Sequence, residues 1–228
     1  MIHQVTRLGL VNVFLVEEDD GLTLIDTAIG GSAKKILAAA AQIGKPITTI
    51  ALTHGHGDHV GSLDALHEHL PDAAVLITAR DARLLDKDTT LDPGEPGDKV
   101  RGGVPGTKTK PTRAIADGDV VGSLRVVASP GHTPGHVSFL DTRDGTLYVG
   151  DAYTNIGGLA TTAKGSPIFP LASVSTWDKP TAVRSARALR GLDPARLAFG
   201  HGPVLEDPAA AMDEALARVE KMWPAAAA

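Results

Sequence analysis

The chain has 228 residues, 43% of them hydrophobic, and a formal net charge of −5, which fits one domain (residues 1–228) with an ordinary core and no basic face for a nucleic acid. It has no cysteine, so disulfides and thiolate metal ligands are excluded. It has neither an apolar run long enough to span a membrane nor a basic-then-apolar leader at its start, so a cytoplasmic location without a membrane partner is expected.

Val5–Leu8, Val11–Glu17 and Leu22–Asp26 are rich in β-branched residues and broken at Asp19-Asp20-Gly21, which predicts strands and a hairpin. Ser32 is placed as the N-cap of a helix to Ile43. Its apolar stripe is Ile36, Leu37, Ala40 and Ile43, and Gly44 and Pro46 end it. Ile47–Leu52 reads as an apolar strand, Ser62–Leu70 as a helix stopped by Pro71, Val75–Thr78 as a strand and Arg80–Leu85 as a short helix. From Asp86 to Thr112 prolines and glycines dissolve the pattern. A loop of this length is expected to be mobile and to border a site. Strands resume at Leu124–Ala128, Val137–Leu140 and Thr146–Val149. An irregular stretch covers Ala152 to about Thr176. A helix with Pro180 in its first turn runs to Leu189, followed by a strand at Leu197–Phe199 and a helix at Pro208–Met222. The Ala225–Ala228 tail is expected to fray. Two runs of strands, each followed by helices, predict a layered α/β domain.

The most specific signal is Thr53-His54-Gly55-His56-Gly57-Asp58-His59. Imidazole and carboxylate are ligands of zinc-type ions, and the two glycines allow the tight backbone on which several ligands converge. In extended chain His54 and His56 project to one side. Asp58 and His59 must then be turned back, which suits a second ion. The spacing departs from the helical H-E-x-x-H pattern. Three more ligand-type residues sit beside glycine just past apolar strands: His132 in Pro130–His136, Asp151 after Val149-Gly150, and His201 between Gly200 and Gly202. Strand ends are where sites are built on a rigid scaffold.

Together these motifs, with Leu24-Ile25-Asp26-Thr27, resemble the metallo-β-lactamase-fold hydrolase superfamily over nearly the whole chain. The resemblance implies a four-layer αββα sandwich with a dinuclear site between its sheets. It implies His54, His56 and His132 on one ion, Asp58, His59 and His201 on the other, and Asp151 bridging. It also implies Asp26 bracing the metal loop. The β-lactamase branches lack a bridging aspartate at the position of Asp151, one branch uses a cysteine, and the flavodiiron branch has a glutamate where His56 stands. The glyoxalase-II-like group, with its thioesterases and lactonases, remains. Within it the lactonase tyrosine is replaced by Thr154, with Tyr153 one residue earlier.

The resemblance therefore implies a metal-dependent hydrolase of a small ester, lactone or thioester. Its expected cofactor is two divalent ions, Zn2+ first, with Mn2+ or Fe2+ compatible with the same ligands. Asp58 is the expected proton relay and a small molecule the expected partner. The alternatives are a persulfide dioxygenase-like enzyme with one iron on two histidines and an aspartate, and a phosphodiesterase of the same superfamily. No G-x-S-x-G elbow is present. His136 is expected to brace the ligands by hydrogen bonding, His67 and His69 to be solvated, and His3 to be structural or exposed. Tyr153, Phe169 and Trp177 are expected to wall the substrate pocket.

Overall fold

Two antiparallel strands, β1 (His3–Arg7) and β2 (Val11–Glu17), open the chain, and β3 (Leu22–Ile25) pairs antiparallel with β2. They belong to a computed structural model that describes residues 2–224; the Ala225–Ala228 tail lies outside the described residues. From β3 onward each connection is a crossover. Helix α1 (Ala33–Ile43) leads to β4 (Ile47–Ala51). Helices α2 (Gly57–Val60) and α3 (Leu63–His69) lead to β5 (Ala74–Thr78). Helix α4 (Ala79–Leu85) and the long loop lead to β6 (Arg113–Ile115). Strands β3 to β6 are therefore parallel. Their C-terminal ends share one edge of a six-stranded sheet ordered β1-β2-β3-β4-β5-β6.

The second sheet is built from β7 (Val120–Val121), β8 (Leu124–Ala128), β9 (Val137–Asp141) and β10 (Thr146–Tyr148), which pair antiparallel in turn. A small hairpin, β11 (Tyr153–Thr154) and β12 (Ala160–Thr161), then precedes helices α5 (Leu171–Val174) and α6 (Lys179–Arg190). Strand β13 (Arg196–Ala198) returns parallel to β10. Strand β14 (Leu205–Glu206) closes the sheet in the order β14-β13-β10-β9-β8-β7, and α7 (Ala209–Glu220) ends the chain. Because β10 and β13 are parallel, Asp151 and His201, which follow them, emerge at the same edge.

Four layers follow from where the apolar side chains go. Phe14, Val16, Ile25, Ala51 and Leu76 of the first sheet meet Val126, Val137, Phe139 and Tyr148 of the second. The opposite faces of the two sheets pack on Ile36, Ala40, Leu63 and Leu66 on one side and on Ala186, Leu189, Met212 and Leu216 on the other. This is an αββα sandwich. Backbone bonds lock the sheets where they meet at the site: Val137 N–H donates to Thr53 O at 3.0 Å and Asn12 N–H to Gly200 O at 2.8 Å. No described helix is long and apolar enough to cross a membrane.

Several expectations need correction. The stretch from Ala152 to Thr176 is not irregular throughout, since it holds β11, β12 and α5; strands of two residues leave no alternation to read. Strands β7 and β14, of two residues, and β6, of three, are too short to read in the same way. Ser32 does hold the N-cap position of α1, its carbonyl accepting from Ile36 N at 3.1 Å, but its side chain makes no capping bond. Its backbone is helical, its hydroxyl donates to Ile29 O at 2.7 Å and it accepts from Arg7. Gly44 does end α1, at φ +83, a left-handed conformation that glycine adopts without strain.

Candidate metal centre

Strand β4 runs buried through Ile50, Ala51 and Leu52 into Thr53. The chain bends at Thr53, is extended at His56, at φ −75 and ψ 151, and then coils into α2 at Gly57. That change from extended to helical backbone divides the four side chains between two adjacent sets, His54 and His56 in one and Asp58 and His59 in the other.

Hydrogen bonds on the far side of each ring decide which nitrogen faces inward. Thr53 Oγ1 gives its one proton to Asp26 Oδ2 at 2.8 Å, so at 3.0 Å from His54 Nδ1 it accepts. His56 Nε2 lies 2.7 Å from the carbonyl of Arg101, to which it must donate. His132 Nδ1 lies 3.1 Å from Thr176 Oγ1, whose proton is committed to Ala172 O at 2.7 Å. The inward atoms His54 Nε2, His56 Nδ1 and His132 Nε2 are thus bare lone pairs. They stand 3.2 and 2.9 Å apart in sequence. Three converging lone pairs repel unless a cation sits among them. A tetrahedral ion with Zn–N bonds of about 2.0–2.1 Å sets its ligand atoms roughly 3.3 Å apart. The donor set fits such an ion.

A second set lies alongside. His59 Nδ1 donates to Asp26 Oδ2 at 2.8 Å and His201 Nδ1 to Leu10 O at 3.0 Å. His59 Nε2 and Asp151 Oδ1 are 3.4 Å apart, both buried, and neither has a hydrogen-bond partner. His201 Nε2 is 3.3 Å from both Asp58 Oδ2 and Asp151 Oδ2. Asp151 Oδ2 is also 3.4 Å from His132 Nε2. Asp151 therefore touches both sets, and buried unpartnered atoms of opposite character call for a charge between them. All seven expected ligands come together here, in the groups His54–His56–His132, His54–His59–Asp151 and Asp58–His59–His201.

The two halves differ in charge. Burial, reinforced by neighbouring imidazoles, lowers the pKa of His54 and His132 well below the ordinary histidine value, and burial also lowers that of His56. In the second half burial works the same way but is outweighed. Asp151, Asp26 and Asp58 raise His59 well above its ordinary value, and Asp151 and Asp58 push His201 up to about 10. Burial opposes ionisation of Asp58 and Asp151, yet His59 and His201 hold both carboxyls below the usual range.

The supporting residues are as specific as the ligands. Asp26, at φ +61, is a non-glycine residue in the left-handed region, a strain typical of functional positions. The twist brings its carboxylate to Thr53 N, Thr53 Oγ1 and His59 Nδ1. His136 uses both ring nitrogens elsewhere: Nδ1 bonds Ser129 Oγ at 2.9 Å and Nε2 accepts the Asp151 backbone N–H at 3.0 Å. Burial drives its pKa down to about 3. It orients Asp151 and is not a ligand. A side chain at Gly200 would place Cβ 2.5 Å from Asp151 Oδ1 and 2.6 Å from His59 Cε1, so only glycine fits there. Sequence reasoning missed Asp81, fully buried on α4. It accepts from Gly55 N at 3.0 Å, Thr133 Oγ1 at 2.6 Å and Gly135 N at 2.7 Å, tying the loop after β4 to the loop after β8.

The centre opens into a groove of about 170 Å³ lined by His56, Asp58, His132, Asp151 and His201 with Leu10, Val11, Phe169, Leu171 and Ala172. Phe169 stands where expected, its ring 5.0 Å from that of His201. Tyr153 does not. It is buried in the core, and its hydroxyl donates to Ala186 O at 2.8 Å, because β11 turns it toward α6. Trp177 is also outside the groove lining, donating from Nε1 to Pro96 O at 2.9 Å and so holding down the long loop. That loop is no detached lid either: Gly103 lines the groove and its carbonyl accepts from Gly57 N at 2.9 Å, next to the Arg101–His56 bond. His69 is exposed and His67 half-buried, and His3 bonds Glu17 at 2.9 Å.

The sequence matches the family model of the metallo-beta-lactamase superfamily over residues 6–201. YobT of Bacillus subtilis, an uncharacterized protein, is 46% identical over 212 residues, covering 92% of this chain and 91% of YobT. A hydroxyacylglutathione hydrolase of Gloeobacter violaceus is 31% identical over 157 residues, 66% of this chain but only 52% of that enzyme. Among solved structures the di-iron-bound form of TTHA1623 aligns with a TM-score of 0.67 and 28% identity, over 92% of this chain and 96% of that one. The BLEG-1 B3 metallo-beta-lactamase shares the fold, with a TM-score of 0.69 at 22% identity over 92% and 95% of the two chains. With its αββα layers and its histidine–aspartate cluster at the strand ends, the chain belongs to the metallo-beta-lactamase superfamily of metal-dependent hydrolases.

Proposed function

We propose that the protein hydrolyses a small, uncharged ester, lactone or thioester at a pair of divalent ions. The observation that carries this reading is the position of Asp151, whose one carboxylate contacts histidines of both ligand sets. A divalent ion held there lowers the pKa of water from ~15.7 to ~7 and polarises a carbonyl oxygen. The chain's own residues do the rest. His54, His56 and His132 offer neutral nitrogens. His59, His201, Asp58 and Asp151 supply the second set, its two carboxylates adding the negative charge that a second cation needs. Asp58, with 40% of its side chain exposed, is the ligand-type group best placed to take up a proton from water in the groove and pass it on.

Among the described residues no Lys or Arg lines the groove, and Leu10 and Leu171 expose 45% and 64% of their surface beside it. Such walls suit an apolar acyl group. They offer no counter-charge to a phosphodiester or to the carboxylates of glutathione. Zinc is the expected metal from the nitrogen-rich donor set. Iron is the specific alternative, supported by the TTHA1623 likeness and by the His54–His59–Asp151 group, a two-histidine, one-carboxylate set of the kind that holds non-haem iron. A single iron on that group would make the protein a persulfide dioxygenase-like oxidoreductase; the di-iron likeness bears only on the choice of metal.

Elemental analysis of purified protein, followed by a panel of esters, lactones, thioesters and phosphodiesters, tests both. About two ions per chain with turnover of an uncharged acyl substrate supports hydrolysis. A single iron with oxygen consumption and no hydrolysis sinks it.

A further inference from the structure

A second cavity, of about 240 Å³, opens between β12, the turn Lys164–Pro167 and α7. Leu159, Ala215 and Val219 give it apolar walls. Among the described lining residues, Lys164 and Arg218 carry the only charges, with no Asp or Glu beside them, although the chain as a whole is acidic. Neither cation forms an ion pair with any described residue. Arg218 spends one donor on Leu159 O at 2.8 Å, which anchors the guanidinium and leaves its other donors free. Thr161, in the same wall, is 1% exposed and its hydroxyl has no partner. That hydroxyl is closed off from the cavity, as is the equally unpartnered Thr154 hydroxyl on the same hairpin, so the two cations carry the polar character of the site.

We propose that this cavity binds a small organic anion of the carboxylate class, with an apolar body of a few carbons. The apolar walls select against a bare inorganic anion. The two unpaired cations select against a neutral hydrocarbon. The site is separate from the metal centre and shares no lining residue with its groove, although the two are close in the chain: Lys164–Pro167 line the cavity, and Phe169, Leu171 and Ala172 line the groove. The turn between them is held by Ser166 Oγ, which donates to Ile156 O at 2.6 Å, and by Gly165 N, which donates to Thr161 O at 2.8 Å.

The test is titration of the metal-loaded protein with octanoate, octanol and inorganic phosphate, followed through the backbone amide resonances of Gly157, Gly158 and Gly165. Octanoate is expected to shift these amides saturably and to bind at least about ten-fold more tightly than either control, the factor expected of a charge-assisted hydrogen bond. The variant K164A/R218A, altered only at exposed side chains, should lose that preference while keeping its metal content and the rest of its spectrum. The proposal is overturned if octanoate and octanol bind equally, if K164A/R218A binds octanoate as the parent does, or if the shifts appear only at the metal-loop amides of Gly131 and Gly135.

Discussion

Asp26 Oδ2 accepts the Nδ1 proton of His59 at 2.8 Å, and its other oxygen accepts the backbone N–H of Thr53, also at 2.8 Å. One carboxylate thus sets the tautomer of a ligand in the second set and the start of the loop carrying the first. Replacing Asp26 with Asn keeps the size but puts a donor where only acceptors work. The expected outcome is a 10–100-fold weaker second ion, the usual scale for such outer partners, with a smaller loss at the first, whose His54 Asp26 reaches only through Thr53. Competition with a graded series of chelators checks it, and equal weakening of both ions would contradict the division of labour.

Asp81 joins the two metal loops through three buried donors. Burial raises its pKa, and the bonds from Thr133, Gly135 and Gly55 oppose that rise. Asp81→Ala would strand all three donors, at about 1–3 kcal/mol for each one left unsatisfied. A fall of several degrees or more in Tm is expected, with metal loss from the His54–His56–His132 set. An unchanged Tm would mean that water replaces the carboxylate and that the loops do not depend on it.

The contrast between Asp81 and Asp58 shows how far the sequence can be read. Asp58 is legible because its neighbours at one, two and four positions are also ligand types, and because glycines make their convergence physically possible. Asp81 sits in Arg80-Asp81-Ala82-Arg83, an ordinary helix start, and its partners at Gly55, Thr133 and Gly135 are remote in the chain. Only the packing of α4 between the two loops gives it meaning. Tyr153 fails in the opposite direction. Its grouping with Phe169 and Trp177 beyond Asp151 points to a pocket wall, but β11 turns its ring into the core, where its hydroxyl donates to Ala186 O. Long strands and helices were legible from their periodicity. The two- and three-residue strands at the sheet edges, β6, β7 and β14, were not, because so few residues carry no period.

The metal-free protein should lose stability as pH rises from neutral. His201 is pushed up to about 10 and His59 is also raised in the fold, against about 6.5 in the unfolded chain. Groups raised in this way stabilise fully below the unfolded value and lose that contribution as pH climbs through the folded one. Calorimetry of chelator-treated protein should therefore show a lower Tm at pH 9 than at pH 6.5. An ion entering the second set displaces those protons, so its affinity should increase with pH over the same window. A Tm of the metal-free form that is flat or rising between these pH values would refute the assignment.

Asp58→Ala is expected to reduce turnover by orders of magnitude, since it removes both a ligand and the exposed carboxylate of the groove. His67→Ala should leave turnover within a few-fold, because His67 lies outside the cluster and its Nδ1 has no hydrogen-bond partner. Comparable losses in the two variants, measured as kcat/KM at matched metal content, would mean that the ligand set has been misassigned.

The long loop from Asp86 to Thr112 gives the last prediction. If it were only a lid, removing its middle would change KM and leave the metals in place. The bonds on the loop argue otherwise. Arg101 O accepts from His56 Nε2 at 2.7 Å, fixing the ring so that Nδ1 faces the ion, and Gly103 O accepts from Gly57 N at 2.9 Å at the start of α2. Val100, 3% exposed, is buried with them. Backbone carbonyls do this work, so single side-chain changes at Lys99 or Arg101 should have little effect. Deleting residues 98–103 should free His56 to adopt the other tautomer and weaken the first ion by the 10–100-fold that loss of an outer partner brings. Metal stoichiometry after dialysis against a weak chelator reads this directly. A deletion variant that keeps its full metal content but changes its substrate preference would restore the lid reading and remove the loop from the metal scaffold.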